Sequence, residues 1–501
     1  MRKGYRAAAV LTASVMLLTA CQNGNTTHEP ETMEADDDGG QRSSAGGHAI
    51  ADFIGGLLGK GENGNSENTS GMSSDMDWES SYDYESSWSD SSSDWYSESS
   101  QDNQDDGTLT ILTWDTNSDV QKMVDYFIEM KGYDSYKVQI IGVPDAYDAM
   151  NGGYSNYFYG DEDIDLVILE GDYADNYIDS DWLMPLSDIG LFRSDFSDAF
   201  EYTLDLGTNK NQDLMAVTYA PAPGGFLYRS DLAKQYLGVN SPEEMQEKIN
   251  SWGEFMDSAR ELYDNSNGGV KISASLSGLW QAYRCKAVPW VQNGEFVYNP
   301  NAEYFMDIAN SLYSDNYVED SERWYDGWYM SIYGGEALGE FVPSWGLLDY
   351  EYSLAGQMSN NGKADLAFSM GPEGYYWGGT MIAVADKCND PTLAREFIEM
   401  FCTDTYYMGD FYERTGIFLN SHTVANSYHP YNSYLDNNDY NDWLVKSADR
   451  VMAKGHSIYD GHIADRFYDA VLEYCKGSSY DDVMDSFQKD IVTSYRELYF
   501  D

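Results

Sequence analysis

The stretch that decides the fold begins with LTILTWD at residues 109–115, continues through KVQIIGV at 137–143 and DIDLVILEGD at 163–172, and ends at Leu186. The three quoted segments are short apolar runs bounded by turn residues, a pattern that predicts β-strands. Between the first two runs, apolar side chains recur at helical spacing, at Val120, Met123, Val124 and Phe127. The continuous apolar run at 166–169 is typical of a parallel strand whose two faces are both covered. Together these patterns predict that the folded part begins with a β-α-β-α-β arrangement and has an α/β fold.

Chemically useful residues stand directly after two of these predicted strands. Trp114 and Asp115 follow the first strand, and Glu170 and Asp172 follow the third. In open α/β sheets, ligands bind beyond the carboxyl ends of the strands. An aromatic plate and carboxylates are therefore expected to line one crevice, although Asp115 is also well placed to cap the helix that follows it.

The charge balance of the chain restricts its partners. The 501 residues include 85 Asp and Glu against 29 Lys and Arg, giving a formal net charge of −56. Because phosphate binding requires a basic surface, no nucleic-acid partner is expected. The simplest interpretation of the acidity is a soluble, self-repelling surface. Aromatic residues make up 15% of the chain, which suits a surface that stacks on a ligand.

The first 106 residues are predicted to lie outside the folded part. Residues 1–20 combine three bases with an apolar run too short to span a membrane, which indicates a signal peptide. The sequence Leu18-Thr19-Ala20-Cys21 resembles a bacterial lipobox, which implies that Cys21 is lipidated and holds the mature protein to the outer face of the membrane. A tolerated cysteine after an ordinary signal peptide is the alternative. Residues 22–106 are rich in Ser, Gly, Asp and Glu and predict a disordered tether.

Two Pro/Gly-containing segments predict crossings between two lobes. Residues 220–225 read APAPGG between two apolar strands, and Trp377-Gly378-Gly379-Thr380 precede a third strand. Proline removes strand hydrogen-bond donors and glycine supplies the bend that a crossing requires. We therefore expect lobe 1 to comprise 107–220 and 384–419, and lobe 2 to comprise 221–383 and 420–501.

The order of these segments resembles the extracellular solute-binding proteins of family 1, the carbohydrate-binding lipoproteins of ATP-driven (ABC) importers that include the maltose-binding proteins. The resemblance rests on LTILTWD, on residues 163–189, on QDLMAVTYAPAPGGFLYRSDL at 212–232 and on residues 363–421. It implies a periplasmic-binding-protein-like fold with two α/β lobes, hinge strands and an interlobe cleft. It also implies a monomeric, non-enzymatic extracytoplasmic receptor that passes a sugar to a membrane permease.

The resemblance assigns the cleft residues one by one. Trp114 and Asp115 match the first binding loop, Asp172 with Glu170 matches the second, and Trp280, Trp345 and the Trp377-Gly378 pair match later cleft positions. Indole rings stack on the C–H faces of sugars, and carboxylates accept hydrogen bonds from their hydroxyls. Each of these tryptophans has core packing as its alternative. Tyr173 departs from the basic residue that maltose binders carry, which bears on the identity of the sugar.

Other chemistries find little support in the sequence. The six histidines show no metal-site spacing, and the sequence contains no dinucleotide or phosphate-binding motif, so neither a metal nor a cofactor is expected. Cys285, Cys388, Cys402 and Cys475 allow three disulfide connectivities, of which a Cys388–Cys402 pair is the local option, or free buried thiols. A secreted glycosidase and a receptor that presents its ligand to a sensor remain the alternative functions.

Overall fold

The computed structural model describes residues 107–115, 119–143, 149–160, 162–285, 289–321, 326–347, 365–429, 435, 440–452, 457–496 and 498. The predicted signal peptide, Cys21 and the acidic tether lie outside the described residues.

Lobe 1 is built on a sheet with strand order β2-β1-β3-β13-β4, and β5 also pairs with β13. Its strands are β1 (Leu109–Thr113), β2 (Val138–Gly142), β3 (Leu166–Glu170), β4 (Leu183–Met184), β5 (Ala216–Ala220) and β13 (Thr380–Ala385). β1 is parallel to β2 and β3, whereas β13 is antiparallel to β3, β4 and β5. All of β1 and most of β3 are buried, as expected for strands covered on both faces.

Lobe 2 is built on a second sheet with strand order β11-β6-β10-β7, with β12 also paired to β6. Its strands are β6 (Pro223–Arg229), β7 (Lys271–Ser273), β10 (Ala337–Pro343), β11 (Leu366–Ser369) and β12 (Tyr375–Tyr376), and a separate hairpin joins β8 (Val291–Gln292) to β9 (Glu295–Phe296). The two sheets confirm the predicted α/β class.

Helices cover both sheets. They are α1 (Asp119–Lys131), α2 (Ser155–Phe158), α3 (Asp175–Ile178), α4 (Glu201–Leu206), α5 (Ser230–Leu237), α6 (Pro242–Lys248), α7 (Trp252–Asn265), α8 (Leu276–Arg284), α9 (Pro300–Ser314), α10 (Asp326–Gly334), α11 (Pro391–Cys402), α12 (Thr405–Thr415), α13 (His422–Ser427), α14 (Tyr440–Ala448), α15 (Asp460–Cys475) and α16 (Tyr480–Ser494). Ser241 and Ser251 cap α6 and α7 by accepting hydrogen bonds from backbone N–H groups three residues on.

The chain passes between the sheets at two closely spaced crossings. β5 of lobe 1 leads through Pro221 and Ala222 into β6 of lobe 2, and β12 leads through residues 377–379 back into β13. Gly378 and Gly379 have φ values of 69° and 98°, in the left-handed region that glycine adopts without strain. Glycine is therefore required at this return crossing.

The lobe boundaries differ from the expected ones at two places. Because β13 pairs within the first sheet, lobe 1 resumes at Thr380 rather than at 384. Asn420 also belongs to lobe 1, since it accepts a hydrogen bond from Phe200 N at 3.0 Å and donates one to Thr218 O at 2.9 Å. These long-range hydrogen bonds hold the segment before α13 against lobe 1, and the local sequence pattern carries no information about them.

The four cysteines among the described residues, Cys285, Cys388, Cys402 and Cys475, are free thiols. Cys388 Sγ lies 3.4 Å from Asp165 Oδ1 and the buried Cys402 faces Thr218 O, so the local Cys388–Cys402 disulfide is not formed. Within the described part of the chain, no helix has both the length and the apolar character needed to cross a membrane. Those residues also contain no cluster of His, Cys, Asp and Glu that could hold a metal ion.

Candidate functional site

The loop after β1 carries Trp114 and Asp115 at the edge of the first sheet. Asp115 Oδ2 accepts a hydrogen bond from Asp119 N at 3.1 Å, and the Asp115 N–H donates to Thr113 Oγ1 at 2.9 Å. Asp115 therefore caps α1, which was the alternative role that its position allowed. Trp114 is half-buried, and its indole Nε1 is buried with no hydrogen-bond partner among the described residues.

The loop after β3 places two carboxylates beside the return crossing. Glu170 Oε2 accepts a hydrogen bond from Asp172 N at 2.9 Å, and Gly171 N donates to Gly379 O at 2.8 Å. A Cβ atom added to Gly378 would lie 2.4 Å from Glu170 Oε1. The carboxyl group of Glu170 thus lies directly against the glycines of the crossing. Glycine permits this close approach because a side chain at position 378 would collide with the carboxyl group.

Asp172 reaches across to lobe 2. Its Oδ2 accepts a hydrogen bond from Arg284 Nη2 at 2.6 Å, and the two side chains are 18% and 16% exposed, respectively. Arg284 is the last residue of α8, and Asp172 lies in the loop after β3, so the ion pair joins elements of the two lobes. A partly buried ion pair feels a lower effective dielectric constant than a surface pair and is correspondingly stronger.

Helix α8 presents two different faces. Ser275 caps its start by accepting a hydrogen bond from Gly278 N at 3.1 Å. One face, which includes Leu279 and Trp280, is buried in the lobe 2 core, and the opposite face carries Gln281 and Arg284, one turn apart. Gln281 is 8% exposed and its Oε1 has no hydrogen-bond partner in the described part of the chain. This polar stripe supplies the lobe 2 side of the candidate site.

Trp280 does not join the other predicted site residues. Its side chain is 3% exposed and lies in the lobe 2 core, with its ring centroid 5.0 Å from that of Phe305 and 5.5 Å from that of Phe467. The prediction placed Trp280 in the cleft. Helical phase explains the difference, because position 280 falls on the apolar face of α8, whereas the polar stripe passes through 281 and 284.

Trp345 and Trp377 form an aromatic corner at the crossings. Trp345 Nε1 donates a hydrogen bond to Trp377 O at 3.0 Å, and the two ring centroids are 5.4 Å apart with the ring planes at 62°. Trp377 N in turn donates to Ala222 O at 3.1 Å, which ties this corner to the first crossing. Both tryptophans are half-buried, so each retains surface that a ligand can cover.

Burial and like charge dominate the electrostatics of this region. Burial, reinforced by the neighbouring Asp172, raises the pKa of Glu170 well above its usual range. Burial lowers the pKa of Arg284, but Asp172, with Cys285 and Asp465, raises it by more. Burial also raises the pKa of the Cys285 thiol to about 11, which leaves this group neutral and unreactive at physiological pH.

Two cavities on lobe 1 lie away from this region. One, of about 470 Å³, is lined by Gly107, Thr108 and Asp163 and opens at the amino-terminal ends of β1 and β3. The other, of about 270 Å³, is lined by Asp179, Lys210 and neighbouring residues. Neither includes a residue of the crossings, and ligands of open α/β sheets bind at the opposite, carboxyl-terminal edge.

Sequence reasoning missed Arg284 and Gln281. Both side chains belong to the segment SGLWQAYRC at residues 277–285, which also contains Trp280. The signal that identifies them is the polar spacing Ser277, Gln281 and Arg284 on an otherwise apolar helix, because positions i, i+4 and i+7 share one helical face.

Comparisons with known proteins agree with this architecture. Residues 122–430 match the family model for bacterial extracellular solute-binding proteins, which is more than half of the chain. A solved extracellular solute-binding protein of family 1 has a TM-score of 0.68 at 16% identity, covering 77% of this chain and 99% of its own. The predicted two-lobe fold of periplasmic binding proteins is confirmed.

Two further solved structures are similar at low identity. The sugar-binding protein MalE from Xanthomonas citri has a TM-score of 0.61 at 13% identity, covering 78% of this chain and 98% of its own. The galacto-N-biose-/lacto-N-biose I-binding protein of the ABC transporter from Bifidobacterium longum has a TM-score of 0.60 at 14% identity, covering 79% and 98%. At these identities the likeness shows the fold alone. Comparison with curated proteins finds no match.

Proposed function

This chain belongs to the bacterial extracellular solute-binding proteins, and on that premise we propose that it captures a carbohydrate between its two lobes without altering it. The observation that carries the proposal is the meeting of indole rings and carboxylates where the chain crosses between the sheets. Trp345 and Trp377 form the aromatic corner, and Glu170 lies against Gly378. The Xanthomonas citri and Bifidobacterium longum proteins are named for sugar binding, which supports this ligand class. Family membership indicates an extracytoplasmic location.

Each side chain has a distinct part in the proposed site. Trp345 and Trp377 stack on the apolar face of a sugar ring, where large flat side chains bury area at low entropic cost. Glu170 accepts hydrogen bonds from hydroxyls. Trp114 Nε1 and Gln281 Oε1, which have no partner among the residues that the structure describes, supply one donor and one acceptor. Asp115 holds the loop that carries Trp114 by capping α1. Trp280 supports α8 from the core and has no place in contact with the ligand.

Closure of the lobes is the proposed mechanism. A ligand shifts an open–closed equilibrium only if it binds the closed state more tightly. A sugar that contacts the loops of lobe 1 and the polar stripe of α8 together satisfies that condition. Asp172 and Arg284 join the same two elements at 2.6 Å, so the ion pair favours the same closed arrangement as the ligand.

Calorimetric titration against a panel of mono- and oligosaccharides tests the proposal. We expect the Trp345→Ala variant to lose about 2 kcal/mol of binding free energy, or roughly thirtyfold in Kd. Tyr136→Ala is the matched control, because Tyr136 is 74% exposed on lobe 1 and should not affect binding. Equal affinities for wild type and Trp345→Ala would contradict the proposed site. Incubation with the same sugars should yield no products, and turnover would contradict a purely binding role.

The proposal includes attachment to the membrane and a transport partner. Lipidation of Cys21 would hold the folded lobes to the outer face of the cell membrane through the acidic segment 22–106. An ABC permease is the expected partner, with the binding protein acting as a monomer. Cys21→Ser should move the protein from the membrane fraction to the soluble fraction when cells are fractionated. Retention of this variant on the membrane would contradict the lipid anchor.

A further inference from the structure

The Arg284 guanidinium is already occupied by a carboxylate of the opposite lobe. Asp172 Oδ2 lies 2.6 Å from Arg284 Nη2, and both side chains are more than four-fifths buried. In a sugar-binding cleft, a free arginine would attract an anionic ligand, because guanidinium and carboxylate pair with good geometry. Asp172 removes that attraction before a ligand arrives.

Three carboxyl groups, those of Asp172, Glu170 and Asp465, interact with this one guanidinium. Glu170 precedes Asp172 by two residues and binds its backbone N–H at 2.9 Å. Asp465, on α15, acts electrostatically both on Arg284 and on Tyr173. The start of α15 is close by, since a Cβ atom added to Gly461 would lie 3.9 Å from Asp172 O. Asp172 and Asp465 therefore set two carboxylates against the single positive charge of Arg284.

We infer that Asp172, paired with Arg284, makes the cleft selective for uncharged sugars over their carboxylate-bearing counterparts. This inference deepens the proposed function and rests on it. An anionic sugar must either displace Asp172 from Arg284, which leaves a partly buried carboxylate without its cation, or bind beside carboxylates that repel it. A neutral sugar meets neither penalty, because its hydroxyls donate hydrogen bonds to the same oxygens.

Coulomb's law gives the order of magnitude of the discrimination. One unit charge about 6 Å from a ligand carboxylate, at an effective dielectric constant of ~20, changes affinity by about a hundredfold, and water in the cleft reduces this toward tenfold. We therefore expect the wild-type protein to bind a neutral sugar at least about tenfold more tightly than its carboxylate counterpart.

The test measures a ratio of affinities. The probes are matched disaccharide pairs built from glucose, galactose or mannose, each pair differing only in a hydroxymethyl group or a carboxylate at C6. Asp172→Asn keeps a hydrogen-bonding group of the same shape but removes the charge, and it should lower the neutral-to-anionic preference by about tenfold or more. Asp257→Asn is the control, because it removes the same charge from an exposed pair with Arg260 in which Asp257 is 75% exposed. The control should leave the preference unchanged.

The outcomes separate the two levels of the proposal. If the wild type binds both members of a pair equally, or if Asp172→Asn leaves the preference unchanged, the inference is wrong while sugar binding stands. If the wild type binds no neutral probe and no other sugar, the proposed function fails and the inference fails with it. Should Asp172→Asn not fold, Asp465→Asn removes a charge from the same group without breaking the ion pair, and it should lower the preference in the same direction. An unchanged preference in Asp465→Asn would then overturn the inference.

Discussion

The ion pair between Asp172 and Arg284 should contribute measurably to the stability of the two-lobed arrangement. Two unit charges about 4 Å apart attract by about 4 kcal/mol at an effective dielectric constant of ~20. Desolvation of both groups offsets part of this attraction, and the remaining exposure of 18% and 16% admits some water. We therefore expect a coupling free energy of about 2 kcal/mol between the two side chains.

A double-mutant cycle measures this coupling directly. Urea unfolding of the wild type, Asp172→Asn, Arg284→Gln and the double variant gives four free energies, provided that fluorescence and circular dichroism report coincident transitions. The exposed pair of Arg260 and Asp257, at 3.1 Å, is the matched control and should show a coupling close to zero. A coupling below about 0.5 kcal/mol for Asp172 and Arg284 would refute the reasoning, because the two lobes would then gain nothing from the contact.

Three further predictions concern the surroundings of the site. Glu340 is fully buried and accepts hydrogen bonds from Trp328 Nε1 at 2.9 Å and Phe341 N at 2.8 Å, so Glu340→Ala should lower the free energy of unfolding by about 3 kcal/mol in urea titrations. A decrease in the free energy of unfolding of less than about 1 kcal/mol would contradict this prediction. Gly378→Ala should be destabilised by about 2 kcal/mol, because the residue has a φ of 69° and its new Cβ would meet Glu170 Oε1 at 2.4 Å; wild-type stability would show that the crossing relaxes freely. Burial raises the pKa of Glu170 in the folded state, so its contribution to stability is largest below the unfolded pKa of about 4.3 and falls as pH rises through the folded value. Urea titrations at pH values from about 4.3 upward should show this decline in the free energy of unfolding of the wild type and a smaller decline in Glu170→Gln. Identical pH profiles for the two proteins would contradict the raised pKa of Glu170.

The sequence predicted the fold well because the fold depends on local patterns. The apolar runs at 109–113 and 166–170 became the central strands of lobe 1, and both Pro/Gly segments became crossings. At the second crossing, Gly378 and Gly379 have positive φ values that glycine adopts without strain. The second boundary was misplaced at 384, since the prediction divided β13, whose pairing with β3 is a long-range property.

The site was less predictable because it depends on tertiary proximity. Trp345 and Trp377 are 32 residues apart in the chain, and only the crossing brings their rings within 5.4 Å. Trp280 lies on the apolar face of α8, in the lobe 2 core, and it is Arg284 of the same helix that contacts lobe 1. Asp172 and Arg284 are 112 positions apart, and the sequence around them does not indicate that they form an ion pair.

The most direct test of the account is a crystal structure of the protein with the tightest-binding sugar from the calorimetric panel. We predict electron density for a sugar ring stacked on Trp345 or Trp377, with a hydroxyl within hydrogen-bond distance of Glu170 and the Asp172–Arg284 ion pair intact. A sugar bound in either lobe 1 cavity, with the region of the crossings unoccupied, would contradict the account.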